Sequence, residues 1–144
     1  MKHIMIALLS LFLVGTTAFS LVAKKDKIPQ AVVESMKNKF PDAQKVNWEK
    51  EKSEYEASFV VNGIKTSANF KLDGTWTETE SVIPVSGLPK IVLDGILAAY
   101  PDATIVGTAK IETPGKEVQY EADIQRGKKK TEILFNADGT EIKK

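Results

Sequence analysis

The stretch IPQAVVESMKNKFPDA, residues 28–43, decides the fold, because the chain repeats it in altered form as LPKIVLDGILAAYPDA, residues 88–103. These two stretches lie 60 residues apart. A later motif, Asp73-Gly74-Thr75, recurs 65 residues further on as Asp138-Gly139-Thr140. The second copy therefore has about five extra residues between its helix-forming stretch and its Asp-Gly-Thr motif. Repetition of this kind predicts two tandem copies of one structural unit.

Each repeated stretch predicts one helix. In the first copy, apolar residues recur at every fourth position and form one stripe: Ile28, Val32, Met36 and Phe40. The second copy keeps this stripe: Leu88, Val92, Ile96 and Tyr100. Pro29 suits the first turn of the helix, and Pro41 disfavours helical geometry at the residue before it, so the helix should end there. Gly95 weakens the second helix by roughly 1 kcal/mol relative to alanine, and we expect it to allow close packing against the sheet.

Four stretches of strand character follow each helix, separated by short turn signals. In the first copy these are Asn62-Gly63 and Asp73-Gly74, both typical of two-residue hairpin turns, and we place a further turn at Glu51-Lys52. The middle turn of the second copy is Gly127-Lys128, while the extra residues Glu112–Lys116 lengthen only its first hairpin. The prediction is an α+β fold of two tandem repeats, each a helix packed on one face of a four-stranded antiparallel sheet.

The turns fix the strand register, and the period of two then assigns side chains to the two faces of the sheet. The face predicted to lie under the first helix has two rows: Trp48, Tyr55, Phe70 and Thr77, then Val46, Ala57, Ala68 and Thr79. The opposite face is polar and acidic, and its predicted members include Glu54, Lys71, Trp76, Glu56 and Glu78. In the second copy the same division places four carboxylates on this face: Glu121, Asp123, Glu132 and Glu141.

The N-terminus has the pattern of a signal peptide that is removed on export. A positive start precedes an apolar run over residues 4–14, and Ala18-Phe19-Ser20 forms a small-x-small cleavage signal. We predict a signal peptide over residues 1–20, with cleavage as late as residue 23 as the alternative. An uncleaved membrane anchor is disfavoured, because the apolar run is shorter than the roughly 20 residues that a span needs.

The mature chain should then consist of two repeats, residues 24–84 and residues 85–144, in the periplasm or outside the cell. An exported protein is able to form disulfides, yet this sequence has no cysteine, so apolar packing alone must stabilise it. About 120 residues suffice for an ordinary hydrophobic core. After cleavage we expect no stable insertion into a membrane.

The charge balance argues against nucleic-acid binding. The chain has 20 basic and 19 acidic residues, and removal of residues 1–23 takes away one lysine and no acid, which leaves 19 of each. Proteins that bind nucleic acids or polyanionic membrane surfaces have a strong positive excess or a basic patch. We therefore expect neither nucleic acid nor a membrane surface as a partner.

The residue types that remain exclude most hydrolytic mechanisms. His3 is the only histidine, and it lies within the predicted signal peptide. Without histidine or cysteine the mature chain has neither a nucleophile paired with histidine nor the usual ligands of zinc. Carboxylate chemistry or an oxygen-ligand metal site stays open, but no calcium-loop motif or glycine-rich phosphate loop is present. We assign no catalytic residue, no cofactor and no metal ligand.

The candidate functional residues lie on the polar face of the first repeat. An exposed tryptophan offers a large, rigid contact area, so we predict Trp76 as the anchor of a partner-binding surface. Glu54, Lys71, Glu56 and Glu78 flank it and would orient the partner. Glu56 and Glu78 are neighbours across Asn69, which leaves paired-carboxylate catalysis as an alternative.

Two helices that end in aromatic-Pro-Asp-Ala, each followed by antiparallel strands and a closing Asp-Gly-Thr turn, resemble the PepSY-like family. That family is similar in fold to the beta-lactamase inhibitor protein, and the resemblance covers Ile28 to the C-terminus. It implies a secreted or periplasmic, non-enzymatic protein that binds or restrains another protein. The alternative function is a carboxylate-dependent enzyme that is carbohydrate-active or cation-dependent.

Overall fold

The computed structural model describes residues 27–143, so the predicted signal peptide lies outside the described residues. Its first half contains α1 (Gln30–Lys39), β1 (Gln44–Glu51), β2 (Glu54–Val61), β3 (Ile64–Lys71) and β4 (Trp76–Val82). A short 3₁₀ turn, Val85–Gly87, leads into the second half. That half contains α2 (Lys90–Ala99), β5 (Thr104–Glu112), β6 (Gln119–Arg126), β7 (Lys129–Asn136) and β8 (Glu141–Ile142).

All eight strands form one antiparallel sheet in the order of the sequence, β1 to β8. The predicted α+β architecture of two tandem helix-and-sheet repeats is confirmed, and the two four-stranded sheets are joined edge to edge. The join is the pairing of β4 with β5, which runs from Thr79 opposite Glu112 to Val82 opposite Ala109. One continuous sheet therefore carries two helices on the same face.

The helices end where the prolines predict, but each begins one residue later than predicted. Pro29 occupies the N-cap of α1 rather than its first turn, and its carbonyl accepts hydrogen bonds from the backbone of Val32 and Val33. The helix ends at Lys39, and the Phe40 N–H still donates to the Met36 carbonyl at 2.9 Å. α2 repeats this arrangement at each corresponding position.

Each helix covers its own hydrophobic core, as the apolar stripes predict. The first core contains these buried residues: Val32, Met36, Tyr55, Ala57, Phe59, Ala68 and Phe70. The second core contains Leu88, Val92, Ile96, Ala122, Ile124, Ile133 and Phe135. Phe70 and Phe135 occupy equivalent positions in the repeat and are almost completely inaccessible to solvent. The repeat is therefore a repeat of core packing as well as of sequence.

Gly95 has the role in close packing that the sequence predicts, although its neighbour is a turn rather than a strand. A Cβ at Gly95 would collide with the Gly139 carbonyl oxygen, and one at Gly139 would lie 2.5 Å from the Ile91 carbonyl oxygen. In the first half, Gly74 is equally close to α1, with its hypothetical Cβ 2.6 Å from the Ala31 carbonyl oxygen. The closing turn of each repeat thus packs directly on the helix backbone.

The middle turns are correct as predicted, but the closing turn is not. Val61 lies opposite Ile64 across Asn62-Gly63, and Arg126 lies opposite Lys129 across Gly127-Lys128. At Asp73-Gly74, however, the Lys71 N–H donates to the Thr75 carbonyl at 2.9 Å, which makes a three-residue turn. A three-residue hairpin of this kind places its last residue in the left-handed region, and Gly74 has φ +85°.

This extra turn residue moves Trp76 to the other face of the sheet, which corrects our prediction of an exposed tryptophan. Phe70 lies opposite Trp76 instead of Thr77, and a β-bulge between Asn69 and Phe70 restores the predicted register from Glu78 onwards. Trp76 is consequently half-buried and packs against the first core, beneath α1.

The same geometry corrects the position of Glu141. It lies opposite Phe135 on the helix-covered face, and its carboxylate accepts a hydrogen bond from the Tyr100 hydroxyl at 2.7 Å. The prediction had placed Glu141 on the opposite face, because it assumed a two-residue turn at Asp138-Gly139 as well. Both closing turns therefore rotate the first residue of the last strand towards the helix.

The first hairpin turns one residue later than predicted, at Lys52-Ser53, so Glu51 pairs with Glu54. Trp48 lies opposite Ala57 rather than Tyr55, a shift of two residues that leaves its face unchanged. Trp48 is half-buried against the first core, with its ring centroid 6.2 Å from that of Phe70. Its assignment to the covered face is thus confirmed.

Candidate functional site

The face of the sheet opposite the two helices, here called the uncovered face, is strongly acidic. Its carboxylates come from both halves: Glu54, Glu56, Glu78 and Glu80, then Glu121, Asp123 and Glu132. Lys71, opposite Glu54, and Lys130, which contacts Asp123, contribute positive charge. The excess of carboxylates gives this face a negative potential that would attract cationic groups.

The predicted row of Glu56, Asn69 and Glu78 across three strands is confirmed. Burial raises the pKa of Glu56, and the nearby charges of Glu51 and Glu49 raise it further. Burial likewise raises the pKa of Glu78, reinforced chiefly by the charge of Glu54. The row is therefore a place where negative charge is concentrated and partly desolvated.

Three hairpin loops meet at one end of the uncovered face and enclose an open groove of about 570 Å³. The β1–β2 and β3–β4 loops belong to the first half, and the β5–β6 loop belongs to the second. The groove is lined by Glu51, Lys52, Ser53, Glu54, Asn69, Lys71, Thr75, Trp76, Thr77, Glu78, Thr113, Pro114 and Lys116. The residues inserted into the second copy thus form one wall of a groove on the first.

Four of the five predicted site residues, namely Glu54, Lys71, Glu78 and Trp76, line this groove, and Glu56 lies beside Asn69 next to it. The bulged residue Thr77 places its hydroxyl 3.3 Å from Glu54 Oε2 and 3.2 Å from the Asn69 carbonyl oxygen. Thr77 therefore occupies the surface position that the sequence assigned to Trp76.

Trp76 borders the groove with its ring directed into the protein. Its indole N–H donates to the Glu78 carbonyl at 2.7 Å and to Thr79 Oγ1 at 2.9 Å. The Lys39 ammonium lies 3.5 Å from the ring centroid, which is a cation–π contact. A half-buried ring with these contacts supports the groove and is not a freely exposed anchor.

The inserted hairpin also contributes charge to the first half. Lys116, at the tip region of the β5–β6 loop, is close enough to Glu78 to lower the pKa of that carboxyl against the stronger effect of burial. The groove therefore offers two cationic side chains, Lys71 and Lys116, among several carboxylates. A partner with both basic and acidic groups would find complementary charges there.

Glu80 lies on β4, close to the junction of the two halves, and is only 6% exposed. Its atom Oε1 has no hydrogen-bond partner within residues 27–143. Burial raises the pKa of Glu80 to about 7, assisted by the charges of Glu78, Glu132, Glu56 and Asp123. A carboxyl group of this kind is partly protonated near neutral pH.

In the second half, oxygen atoms from Glu121, Asp123 and Glu132 all lie within 4.8 Å of one another. The sequence assigned these three residues to the uncovered face, but it did not predict that they converge. They come from two paired strands, with Asp123 opposite Glu132, and the spacing of such ligands matches no linear motif. The sequence signal that could have predicted this cluster is the Gly127-Lys128 turn, because it fixes the pairing of β6 with β7.

The closing-turn aspartates serve as turn formers, in agreement with the sequence analysis. Asp73 Oδ1 accepts the Thr75 N–H at 2.9 Å, and this hydrogen bond lowers the pKa of Asp73. Asp138 accepts both the hydroxyl and the N–H of Thr140, which lowers its pKa in the same way. Both carboxylates are committed to local backbone geometry.

Comparison with known proteins gives one family and several similar structures. A family profile described as beta-lactamase-inhibitor-like and PepSY-like matches residues 20–62 and residues 53–143. No curated protein matches the sequence. Neither of the two described helices has the length and apolar character needed to cross a membrane.

Three similar solved structures come from Bacteroides species. A protein from Bacteroides eggerthii, described as periplasmic, has 23% identity and a TM-score of 0.76, with 80% of this chain and 86% of that chain covered. A BLIP-like protein from Bacteroides fragilis has 23% identity and a TM-score of 0.71, with 80% and 84% covered. A DUF2874 family protein from Bacteroides ovatus has 20% identity and a TM-score of 0.76, with 82% and 86% covered. At these identities the likeness establishes a shared fold.

Proposed function

Since this chain belongs to the PepSY-like, beta-lactamase-inhibitor-like family, we propose that it is an exported, non-enzymatic module that binds or inhibits another protein through the uncovered face of its sheet. The observation that carries the proposal is the groove formed where three hairpin loops meet beside the acidic row. Loops held by a rigid sheet are common carriers of binding residues. The signal-peptide pattern and the periplasmic description of the B. eggerthii protein support an exported location.

The chemistry of the uncovered face indicates the kind of partner. The negative charge comes from Glu54, Glu56 and Glu78. Two separate lysine side chains, Lys71 and Lys116, contribute positive charge at the groove. We infer a protein partner that inserts a loop with lysine or arginine side chains and at least one carboxylate. Complementary charges of this kind chiefly determine association rate and orientation.

We keep Glu54, Lys71, Glu56 and Glu78 as the proposed contact residues and assign Trp76 a supporting role. The Trp76 ring packs between Lys39 and the first core, so its removal would alter the groove through the protein interior. Binding loss on Trp76→Ala would therefore accompany loss of stability. Substitution of Glu54 or Glu78 should change binding with little effect on stability.

The test is an affinity capture from the exported fraction of the native cell, followed by measurement of the dissociation constant for the captured protein. Glu54→Gln combined with Glu78→Gln should weaken binding by about tenfold or more, and binding by the unmodified protein should weaken as salt is added. Glu34→Gln, on the exposed side of α1, is the matched control and should bind normally. Equal binding by the groove variant and the control would overturn the proposal.

A second candidate function is a carboxylate-dependent enzyme, which the raised pKa values of Glu56 and Glu78 favour. Retaining and inverting glycosidases require two carboxyl groups with different protonation states. Turnover of a panel of glycosides, lost on Glu56→Gln or Glu78→Gln, would support the enzyme and displace the binding module. Lack of turnover by protein that still captures a partner would leave binding as the function.

A further inference from the structure

We propose that the outer edge of β1 binds an extended segment of another protein as an added antiparallel strand. The segment carries lysine or arginine opposite Glu49 and Glu51 and an apolar residue opposite Trp48. Glu51 borders the three-loop groove, but the surface itself is the edge of the sheet. The inference therefore goes beyond the groove-based function proposed above and does not depend on it.

The two edges of the sheet differ in length. β1 lies at one end of the strand order, and no strand within residues 27–143 pairs with its outer side. It has eight residues, of which Trp48 is half-buried and the others are exposed. The opposite edge strand, β8, has two residues. An edge strand as long as β1 presents a row of backbone N–H and C=O groups with which another strand is able to pair.

The seam between the halves shows how this edge of a repeat accepts a strand. Thr108 of β5 corresponds to Trp48 of β1, because each pairs with the equivalent alanine of the next strand. The outer edge of β5 is occupied by β4, and there the Thr108 carbonyl accepts a hydrogen bond from the Ile83 N–H at 3.0 Å. In an antiparallel ladder the N–H and C=O of one residue point to the same side. Both backbone groups of Trp48 therefore face outward from β1, towards an added strand.

The uncovered face indicates the charge of the added strand. At the seam, β5 presents Ala109 and Ile111 to β4 on this face, and both are buried. The corresponding residues of β1 are Glu49 and Glu51, and both are exposed. Each of them lies directly opposite another glutamate on β2. Like charges in this position destabilise a sheet, so basic side chains on an added strand would relieve the repulsion.

The covered face indicates an apolar residue beside Trp48. At the seam, Ile83 donates its N–H to Thr108 and packs its side chain against the second core. Trp48 packs against the first core in the same way but keeps part of its ring exposed. An apolar side chain on the added strand would cover that part. Because side chains alternate between the faces of a strand, the partner segment should alternate basic and apolar residues.

A second copy of this chain fits the edge less well than a basic segment. Self-pairing of β1 in registers centred on Glu49 or Lys50 places glutamate against glutamate. Between Gln44 and Asn47 the register shifts, with Lys45 at φ +55°, so the regular part of the edge is short of self-complementary. Charged side chains and bulges are common means by which edge strands avoid pairing with their own kind. These features disfavour a like strand but accommodate a basic one.

The experiment uses the exported chain and a synthetic peptide as long as β1 in which lysine and valine alternate. Isothermal calorimetry should show saturable binding that weakens as salt is added. Hydrogen exchange followed by NMR should show protection of the Trp48 amide in the complex, because the added strand accepts its N–H. Glu49→Lys should weaken binding by about tenfold or more, and this exposed position should tolerate the change without loss of stability.

Controls separate strand addition from general attraction to an acidic surface. A peptide of the same composition, with its lysines and valines in two blocks, should bind at least about tenfold more weakly. Glu78→Gln alters the groove away from β1 and should leave peptide affinity unchanged, so failure of the groove function and failure of strand addition are distinguishable. An unprotected Trp48 amide, equal binding of the two peptides, full affinity of Glu49→Lys, or a dimer formed through β1 would overturn the proposal.

Discussion

The two halves of this protein agree at the positions that make the fold and differ at those that complete each end. Both have the same helix caps and the same close contact between a turn glycine and the helix backbone. Around the helix end, however, the first half stacks Lys39 on Trp76. The second half instead has a hydrogen bond from Tyr100 to Glu141, with Arg126 over the tyrosine ring at 5.2 Å. The contacts that maintain the fold are thus shared by the two repeats, whereas the side-chain contacts at the helix ends differ between them.

The largest effect should come from the two equivalent core phenylalanines. Phe70→Ala and Phe135→Ala should each lower the free energy of unfolding by about 3–5 kcal/mol, because each removes a fully buried ring. Denaturant unfolding followed by fluorescence and by circular dichroism would measure both losses. If the β4–β5 pairing couples the halves, each variant should still unfold in one transition. Unequal losses would show that the two cores are not equivalent.

The next effect concerns pH and Glu80, which lies at the junction between the halves. Its pKa is raised to about 7 in the folded protein from an ordinary value of 4.5, so the folded state retains a proton that the unfolded state releases. Stability should therefore fall as pH rises from about 4.5 to about 7, by on the order of 2 kcal/mol.

Glu80→Gln should flatten this decline, and urea denaturation at several pH values would measure it. Glu56→Gln is the comparison within the first half, where burial raises the pKa by less. We expect it to change the pH dependence in the same direction and to a smaller extent. A pH profile unchanged by Glu80→Gln would show that this carboxyl does not titrate in the window.

The third effect compares the two helix ends. Trp76→Ala should cost about 2 kcal/mol, since the half-buried ring loses packing, two hydrogen bonds and a cation–π contact. Tyr100→Phe removes only the hydroxyl that donates to Glu141 and should cost about 1 kcal/mol. Chemical denaturation of both variants gives the comparison. Acrylamide should also quench Trp76 weakly, and efficient quenching would restore the exposed position predicted from the sequence.

The smallest effect concerns Gly95 and its counterpart Ser35. Alanine favours a helix by about 1 kcal/mol over glycine, but a Cβ at Gly95 would press on the Gly139 carbonyl. Gly95→Ala should therefore destabilise by roughly 1 kcal/mol in spite of its helix propensity. Ser35→Ala should stay within about 0.5 kcal/mol of the original protein. A stabilising Gly95→Ala would mean that the turn moves away from the helix without cost.

The sequence predicted the helices, the repeat and most of the strand register, because proline positions and Asn-Gly turns act locally. It failed at Asp73-Gly74, since that pair is compatible with either a two-residue or a three-residue turn. The contact of Gly74 with the Ala31 carbonyl, which no local pattern reports, accompanies the longer turn. This error of one residue in the turn length caused Trp76 and Thr77 to be assigned to the wrong faces of the sheet.

The candidate sites were only partly accessible to the same reasoning. Alternation along strands placed Glu54, Glu56 and Glu78 on the correct face, because the pairing of β2 with β3, and that of β3 with β4 from Glu78 onwards, are as predicted. To predict the groove, one would need the relative positions of three loops, and one of these loops belongs to the second repeat. To predict the convergence of Asp123 and Glu132, one would need the pairing of two strands and the contact that the absence of a side chain at Gly107 allows.

The order of the strands has a consequence for how the chain folds. Every strand pairs with its neighbour in sequence, and no connection crosses the sheet. Each hairpin is therefore closed by a short loop, with a small entropy cost, and either half is able to nucleate before the β4–β5 seam forms. Such a meander has low contact order for a protein rich in β-structure, so refolding should be limited by assembly of the seam rather than by a search for distant partners.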